Sequence, residues 1–320
     1  MKNPLISVII VTYNSSKYVI EALESVKNQT YINIELIISD DASSDNTIEI
    51  CKKWIDCNRA RFAQTQILTS IINTGTVANC KRALHKINGE WIKFLGGDDY
   101  LLKNCIELNI SYVEKHVNAR VVFSGVNVYN EAENSIKYQY SKRFYLLSSK
   151  KQYKYLLRRN DIFSLSLFVQ TKTLRDIGGF NENYIFLEDR PLWLTMTRLG
   201  IRLFGYPTPT CVYRRHENNI SRSKNIINDS LLGKDSIRFD FNEIIPESIK
   251  NYLFINVLII RIKRYIERLI IKNGNVPNNI NLLLCRVTES VNILQKVILR
   301  IIIIIYSLNL IDDKHSDCNE

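Results

Sequence analysis

Three pairs of adjacent carboxylates stand out as residues that could do chemistry: Asp40-Asp41, Asp98-Asp99 and Glu188-Asp189. Asp98-Asp99 follows the apolar run Trp91-Ile92-Lys93-Phe94-Leu95 and two glycines, Gly96-Gly97. Two carboxylates on a turn that glycine lets approach closely suit a hard divalent cation, held by oxygen and shared with substrate phosphates. The same residues also make ordinary turns. Asp40-Asp41 closes another apolar run and leads into Ala42-Ser43-Ser44-Asp45. Glu188-Asp189 precedes Arg190-Pro191-Leu192-Trp193, which reads as a helix start with Asp at the N-cap and Pro191 in the first turn. Tyr213-Arg214-Arg215-His216 sets two guanidinium groups beside an imidazole, a combination that fits an anionic ligand.

The elements that must position these groups alternate in type. Ile6–Val11 is a continuous β-branched run of strand length, and it ends at Thr12-Tyr13-Asn14-Ser15-Ser16 before a helix reaching about Gln29. Ile34–Ile38 is a second buried strand, and a helix runs from Thr47 to Trp54. A strand near Gln66 to Thr69, the turn Asn73-Thr74-Gly75 and a helix from Val77 to Lys86 lead to Trp91. Strands alternating with helices imply right-handed crossovers and a mainly parallel α/β sheet. Thr12, Asp41, Asn73 and Asp98 then line the edge at the strand ends, where such sheets bind ligands. A Gly-x-Gly-x-x-Gly after the first strand and a Gly-x4-Gly-Lys-Ser/Thr loop are both missing, which argues against a dinucleotide fold and a P-loop.

The chain has 320 residues, 46% hydrophobic and 23% charged, enough for a sizeable core and unlike a disordered or fibrous protein. A net charge of +11 favours an anionic partner: nucleic acid, an acidic membrane surface or a phosphorylated substrate. Seven cysteines without a Cys-x-x-Cys pair fit reduced thiols in the cytoplasm, and Met1–Leu5 carries no secretory signal pattern.

Five segments in order, Val8–Asn14, Ile38–Asp45, Asn73–Gly75, Asn88–Ile92 and Gly97–Asp99, resemble the successive motifs of the family 2 glycosyltransferases, from about residue 5 to about residue 222. That resemblance implies a GT-A fold, a nucleotide-sugar donor, Mn²⁺ or Mg²⁺, and inversion at the anomeric carbon. It implies that Asp41 receives the uracil base and Asp98 the ribose side. Thr12, Tyr13, Asn14, Asn73, Gly75 and Gly97 would complete the nucleotide-sugar site. Asp99 would hold the metal, with Asp98 and His216 beside it. Gly178-Gly179-Phe180 followed by Glu188-Asp189 and Leu192-Trp193 is similar to the acceptor motif, which makes Asp189 the catalytic base and puts Glu188 and Trp193 on the acceptor side. Two departures stand out. Gly96 replaces the first Asp of the usual Asp-x-Asp-Asp, and Asn79-Cys80-Lys81 replaces Ala-Arg-Asn, leaving Lys81 either to meet a phosphate or to sit on a solvated helix face.

Residues 1–225 are expected to form the catalytic domain, with a nucleotide-sugar half to about 100 and an acceptor half beyond. Tyr129–Lys151 reads as a polar loop or hairpin, and a strand near Ile201–Phe204 precedes the proline-rich Tyr206–Pro209. Residues 226–320 read as a helical region. There Ile255, Leu258, Ile259, Ile262, Tyr265 and Ile266 lie opposite Arg261, Arg264 and Arg268, and a last helix runs through Val291 to Ile305. The pair of helices suits either packing on the catalytic domain or a membrane surface.

The expected function is transfer of one hexose, from UDP-Glc or UDP-Gal, to a polyprenyl-diphosphate-linked sugar in O-antigen or capsule assembly. The expected location is the inner face of the cytoplasmic membrane. A non-catalytic UDP-sugar-binding homologue and a nucleic-acid binder are the alternatives, the latter disfavoured because the basic helix pairs arginine with aliphatic rather than stacking residues.

Overall fold

The computed structural model describes residues 3–217, 219, 231–293 and 297. The chain divides into two compact units, Met1–Ile220 and Ser221–Glu320.

The first unit begins with the alternation expected: β1 (Ile6–Thr12), α1 (Val19–Lys27), β2 (Ile34–Asp40), α2 (Thr47–Asn58), β3 (Gln64–Thr69), α3 (Thr76–Leu84) and β4 (Trp91–Gly96). Strands β1 and β2 are buried almost throughout because helices cover both faces, which is what their unbroken β-branched runs require. All three pairings among these strands are parallel, and their registers set Thr12 against Asp40, Val11 against Gly96 and Asp40 against Thr69. Four strand ends therefore meet at one edge.

Next come β5 (Tyr100–Leu101), α4 (Cys105–Lys115), β6 (Val121–Asn130), β7 (Ser135–Gln139), α5 (Lys142–Tyr145), α6 (Ser149–Leu156), β8 (Phe168–Gln170), α7 (Thr171–Asp176), α8 (Asp189–Arg198) and β9 (Phe204–Arg215). The sheet order is β3-β2-β1-β4-β8-β6-β9-β5, with β7 on β6. Short β8 runs antiparallel between β4 and β6, joining the two halves of the sheet.

Two sequence expectations need correcting here. The stretch from Tyr129 to Lys151 contains a hairpin, but it then forms two helices whose apolar face, Phe144, Tyr145, Leu147, Tyr153 and Leu156, is hidden in the sequence among lysines and tyrosines. The strand expected near Ile201–Phe204 instead starts at Phe204 and continues through Pro207 and Pro209 to Arg215. Its prolines are tolerated because the register against β6 slips on either side of Gly125, and a Cβ there would lie 2.2 Å from the Pro207 carbonyl oxygen.

A buried carboxylate fastens the far end of the parallel strands. Glu35, in β2, accepts hydrogen bonds from the Ser7 hydroxyl (2.5 Å) and the Asn88 and Gly89 backbone N–H groups (2.6 and 2.8 Å). It thereby ties β1 and β2 to the turn that starts β4.

In the second unit, α9 (Leu231–Phe239), a π-helical turn (Asp240–Ile244), α10 (Ile245–Lys250) and α11 (Phe254–Lys272) are followed by helical residues 279–293. The expected basic face of α11 is only partly realised. Arg264 is largely buried in ion pairs with Asp240 and Glu267, both at 2.6 Å, because a guanidinium inside the unit needs carboxylate partners. The expected apolar face is also split. Ile259, Ile266 and Ile270 are buried, whereas Phe254, Ile255, Leu258, Ile262 and Tyr265 are exposed. The expected last helix lies mostly outside the described residues. No described helix is long and apolar enough to cross a membrane.

Glu35→Ala should take the acceptor from the buried Ser7 hydroxyl and weaken the Asn88 and Gly89 turn, costing about 3 kcal/mol, since removing one partner of a buried charged network exacts a desolvation penalty. Urea unfolding would measure this, and a change within about 0.5 kcal/mol would mean that Glu35 does not fasten the strands.

Candidate active site

The first carboxylate pair divides its labour. Asp40 is wholly buried and accepts from the Thr12 hydroxyl (2.8 Å) and from the Ser43 N–H and hydroxyl (2.8 and 2.5 Å), fixing the β2 turn to the end of β1. Asp41 faces the other way. Its oxygens accept from the Thr74 N–H (2.9 Å) and hydroxyl (2.6 Å), the Gly75 N–H (2.6 Å) and the Arg82 guanidinium (3.2 Å). Asn14 stitches the first two loops together, its N–H donating to the Ser43 hydroxyl and its side-chain carbonyl accepting from the Ser44 N–H, 2.8 and 2.9 Å. Asn14 has φ +49, a conformation that asparagine tolerates better than most residues. Tyr13 beside it is exposed, while Thr12 is buried and structural. Asn73 caps its own turn by accepting from the Gly75 N–H at 3.1 Å. Lys81 is ion-paired with Glu182, and Arg82, which the sequence reading passed over, is the cation that reaches Asp41.

The second pair lies at the end of β4. A Cβ on Gly97 would meet the Ser15 and Thr12 side chains at 2.8–2.9 Å, so only glycine lets this turn close on β1. A Cβ on Gly96 would come within 2.8 Å of Asp98 Oδ1, so the carboxylate of Asp98 fills the space that a side chain at 96 would take. Asp98 Oδ2 meets His216 Nε2 at 3.0 Å and accepts from Asn219 Nδ2 at 3.1 Å. Asp99 is buried, and its Oδ1 accepts from the Arg214 N–H at 2.8 Å. Burial, and then the charge of Asp98, push the Asp99 carboxyl well above the usual carboxylate range.

Such an under-compensated pair fits a divalent cation, which relieves the repulsion and takes its remaining ligands from phosphate and water. Among the described residues no three His, Cys, Asp or Glu side chains converge as a ready metal cage. His216 Nε2 lies against Asp98, beside Asp99. Arg214 is not open to an anion either. It pairs with Glu21, donates Nε to the Asp98 carbonyl (3.0 Å), and is surrounded by the rings of Tyr18, Tyr100 and Tyr129.

The third pair begins α8. Glu188, not Asp189, occupies the N-cap position, and no side chain caps the helix there, which corrects the capping expectation. Asp189 Oδ1 accepts from the Arg190 N–H at 2.5 Å, and Oδ2 accepts from Asn160 Nδ2 at 2.7 Å. Because Asn160 Oδ1 accepts the Ile162 N–H at 3.3 Å, its amide can present only N–H to Asp189. Arg190 in turn grips the Leu156 carbonyl at 2.8 Å and 3.0 Å, so helix start and Asn160 turn hold each other. Burial followed by the adjacent Asp189 charge pushes Glu188 up to about 8. Burial raises Asp189 too, against the opposing Arg190 N–H and Asn160 bonds. Trp193, expected on the acceptor side, is instead core, packed edge-on against Phe123 at 5.0 Å and 1% exposed.

The loop before α8 reaches the first carboxylate region. The Val77 N–H donates to the Ile185 carbonyl (3.1 Å), and Gly75, at φ +90, leaves the space that Ile185 occupies. The buried Cys80 thiol is raised by burial and by the charges of both Glu188 and Asp41, so these two centres flank the same helix, α3.

The sequence pattern of Glycosyl transferase family 2 matches residues 7–175, more than half of the chain. The chain belongs to glycosyl transferase family 2. This transferase is 29% identical over 224 residues to the Escherichia coli UDP-Glc:alpha-D-GlcNAc-diphosphoundecaprenol beta-1,3-glucosyltransferase WfaP, covering 69% of this chain and 81% of that one. It is 28% identical over 229 residues to an uncharacterized glycosyltransferase of Haemophilus influenzae, 68% of each chain. Its fold is GT-A. It superposes on Staphylococcus aureus TarS 1–349 in complex with UDP-GlcNAc with a TM-score of 0.56, at 18% identity over 87% of this chain and 83% of that one. It superposes on the Pyrobaculum calidifontis mannosyltransferase PcManGT, in complex with GDP-Man and Mn²⁺, with a TM-score of 0.54, at 16% identity over 78% and 65% of the two chains.

The raised Glu188 has a measurable consequence in this glycosyltransferase. Its folded pKa lies above its unfolded value of about 4.3, so its contribution to stability is full below that pH and is lost as pH rises through about 8. Glu188→Gln should therefore gain stability relative to wild type as pH rises from about 5 to about 8 and keep that gain at higher pH, read from urea midpoints. Parallel midpoints for the two proteins over that range would show that Glu188 ionises as an ordinary carboxylate.

Proposed function

We propose that the protein transfers one hexose from a UDP-sugar, UDP-Glc or UDP-Gal, to a polyprenyl-diphosphate-linked sugar, with inversion to a β-glycoside, in O-antigen or capsule assembly. The observation that carries this reading is the joining of an Asn160-oriented carboxylate, Asp189, to the Asp41–Gly75 loop through Ile185. An acid–base centre thereby sits beside a donor centre within one family 2 fold. The names of two relatives support the donor and acceptor classes: TarS is solved with UDP-GlcNAc, and WfaP uses UDP-Glc and a diphosphoundecaprenol-linked sugar.

In this reading the uracil stacks near exposed Tyr13, and its N3–H replaces one of the four donors on Asp41, the rotatable Thr74 hydroxyl being the one free to turn away. Arg82 keeps Asp41 charged when that exchange occurs. Asn14, Asn73 and Gly75 shape the base pocket, Gly97 and Asp98 the ribose side, and Lys81 becomes available to phosphate only by leaving Glu182. Mn²⁺ or Mg²⁺ bound at Asp99 and Asp98 would offset the charge developing on the departing UDP. Asp189 removes the proton from the acceptor hydroxyl as that oxygen attacks the anomeric carbon opposite the leaving group. Asn160 and the Arg190 N–H each take up one acceptor site on its two oxygens, which leaves lone pairs directed at the hydroxyl. Glu188, protonated at neutral pH, stays beside the base as a neutral donor toward the acceptor side.

The protein works at the cytoplasmic face of the membrane in this proposal. Support comes from the exposed aliphatic and aromatic residues of α11, Phe254, Ile255, Leu258, Ile262 and Tyr265, with Arg261 and Arg268 alongside.

Asp189→Asn should abolish transfer with donor affinity nearly unchanged, and Asn160→Ala should lower kcat about tenfold with donor KM unchanged. An Asp189→Asn enzyme retaining more than about a tenth of wild-type kcat would place the base elsewhere.

Asp99→Ala should remove the metal-dependent part of UDP binding, whereas Asp41→Ala should weaken UDP binding both with Mn²⁺ and after chelation. Calorimetric titration of UDP under the two conditions separates them, and identical behaviour of the variants would defeat the division into base and metal roles.

A further inference from the structure

The charge of this chain is unevenly placed. The 27 residues between Glu133 and Asp161 hold eight Lys or Arg and neither Asp nor Glu, so this stretch alone carries +8 of the net +11. It folds as β7, α5 and α6 on the catalytic unit. Lys142, Arg143 and Lys150 are exposed, and so are three apolar side chains of the same stretch: Ile136 (61%), Tyr138 (50%) and Leu146 (67%). The buried face of the two helices is fixed by aromatic packing of Phe144 against Tyr145 and Tyr155, with centroids 5.1–5.2 Å apart. The cations therefore ride on a rigid support. The stretch ends at Arg159-Asn160, and Asn160 is the residue that grips Asp189.

We infer that this surface of the catalytic unit docks on anionic phospholipid headgroups. A one-signed field interleaved with single exposed apolar side chains suits a negatively charged plane into which such side chains insert shallowly. Basic residues near such a plane act roughly additively, and their effect fades within a Debye length. Neutral sugar or a protein of mixed charge would not require a stretch without acids. Docking through this face would bring the Asn160–Asp189 end of the site to the headgroup layer. The inference rests on the proposed lipid-linked acceptor for its purpose, though not for its measurement.

The test compares the full chain with the triple variant Lys142→Glu, Arg143→Glu, Lys150→Glu. A control, Lys52→Glu, Lys86→Glu, Lys103→Glu, changes net charge equally at exposed positions elsewhere on the same unit. Sedimentation with phosphatidylcholine vesicles, with and without phosphatidylglycerol, should show wild type and control bound only when the anionic lipid is present. The patch variant should partition at least about tenfold less. Its transfer to a short-chain, water-soluble diphosphate acceptor should equal that of wild type, while transfer to a long-chain acceptor embedded in anionic vesicles falls. Equal losses in patch variant and control would reduce the effect to total charge and overturn the inference. So would wild-type partition by the patch variant, or no vesicle binding by wild type. Tighter binding of a DNA duplex than of vesicles at equal salt, lost in the patch variant, would overturn it in favour of nucleic acid. If wild type transfers sugar to neither acceptor, the catalytic proposal fails while the partition result still decides the docking surface.

Discussion

The hydrogen-bond register of β1 between β2 and β4 is the constraint on which the site depends. A slip of one residue would swap the side chains packed on the two faces of these strands, and the core residues Val8, Ile10, Leu36 and Ile38 hold the pairing against that slip. Because the register is fixed, Thr12 and Asp40 end level and Gly96 ends one residue short, beside Val11. Glu35 fixes the opposite end of the same strands through Ser7 and Gly89. The active-site edge thus inherits its geometry from a packed core instead of from its own loops.

Ionised groups are distributed to match that frame. Asp40 has enough donors around it to be structural, and the turn it fixes carries Asp41 outward. Lys93, fully buried in β4, donates to the Leu165 carbonyl at 2.5 Å, so even the charge behind the Asp98–Asp99 turn is used to attach the 164–166 segment. Asp99, Glu188 and Asp189 are the exceptions, since burial raises each beside a second carboxylate. Carboxylates left short of compensation in this way are where a charged ligand would be bound most strongly.

How much of this was legible in the sequence depended on the period of each element. Strands β1, β2 and β4 are mainly apolar runs ending in Thr, Asp or Gly, so both their existence and the residues at their ends could be read. Helices α5 and α6 could not, because their buried positions are partly tyrosines and Gln152, which look polar on a period-based count. Strand β9 was obscured by Pro207 and Pro209, whose acceptance depends on a register slip opposite Gly125 that no local pattern announces. Trp193 was misplaced because position in a motif says nothing about which side of a helix faces the core. Arg82, Asn160 and Asn219 were missed for another reason. Each acts through a partner 41, 29 or 121 residues away, and only the folded chain brings those pairs together.

The two chemical centres are not independent. The loop before α8 is attached to the donor-side region at the Val77–Ile185 backbone bond and the Lys81–Glu182 ion pair, and it closes over Gly75 where any Cβ would collide with Ile185. Gly75 is itself held by Asp41 through its N–H. A change in what Asp41 accepts therefore bears on Gly75, and through the Ile185 contact on the first residues of α8. That loop also leads straight into Glu188 and Asp189, with Asn160 and Arg190 resisting any displacement from the other side. Of the groups on Asp41, the Thr74 hydroxyl can rotate while the backbone N–H groups of Thr74 and Gly75 cannot. The loop that carries Asp189 and the turn that holds Asp41 thus share one set of contacts, through Gly75 and Ile185.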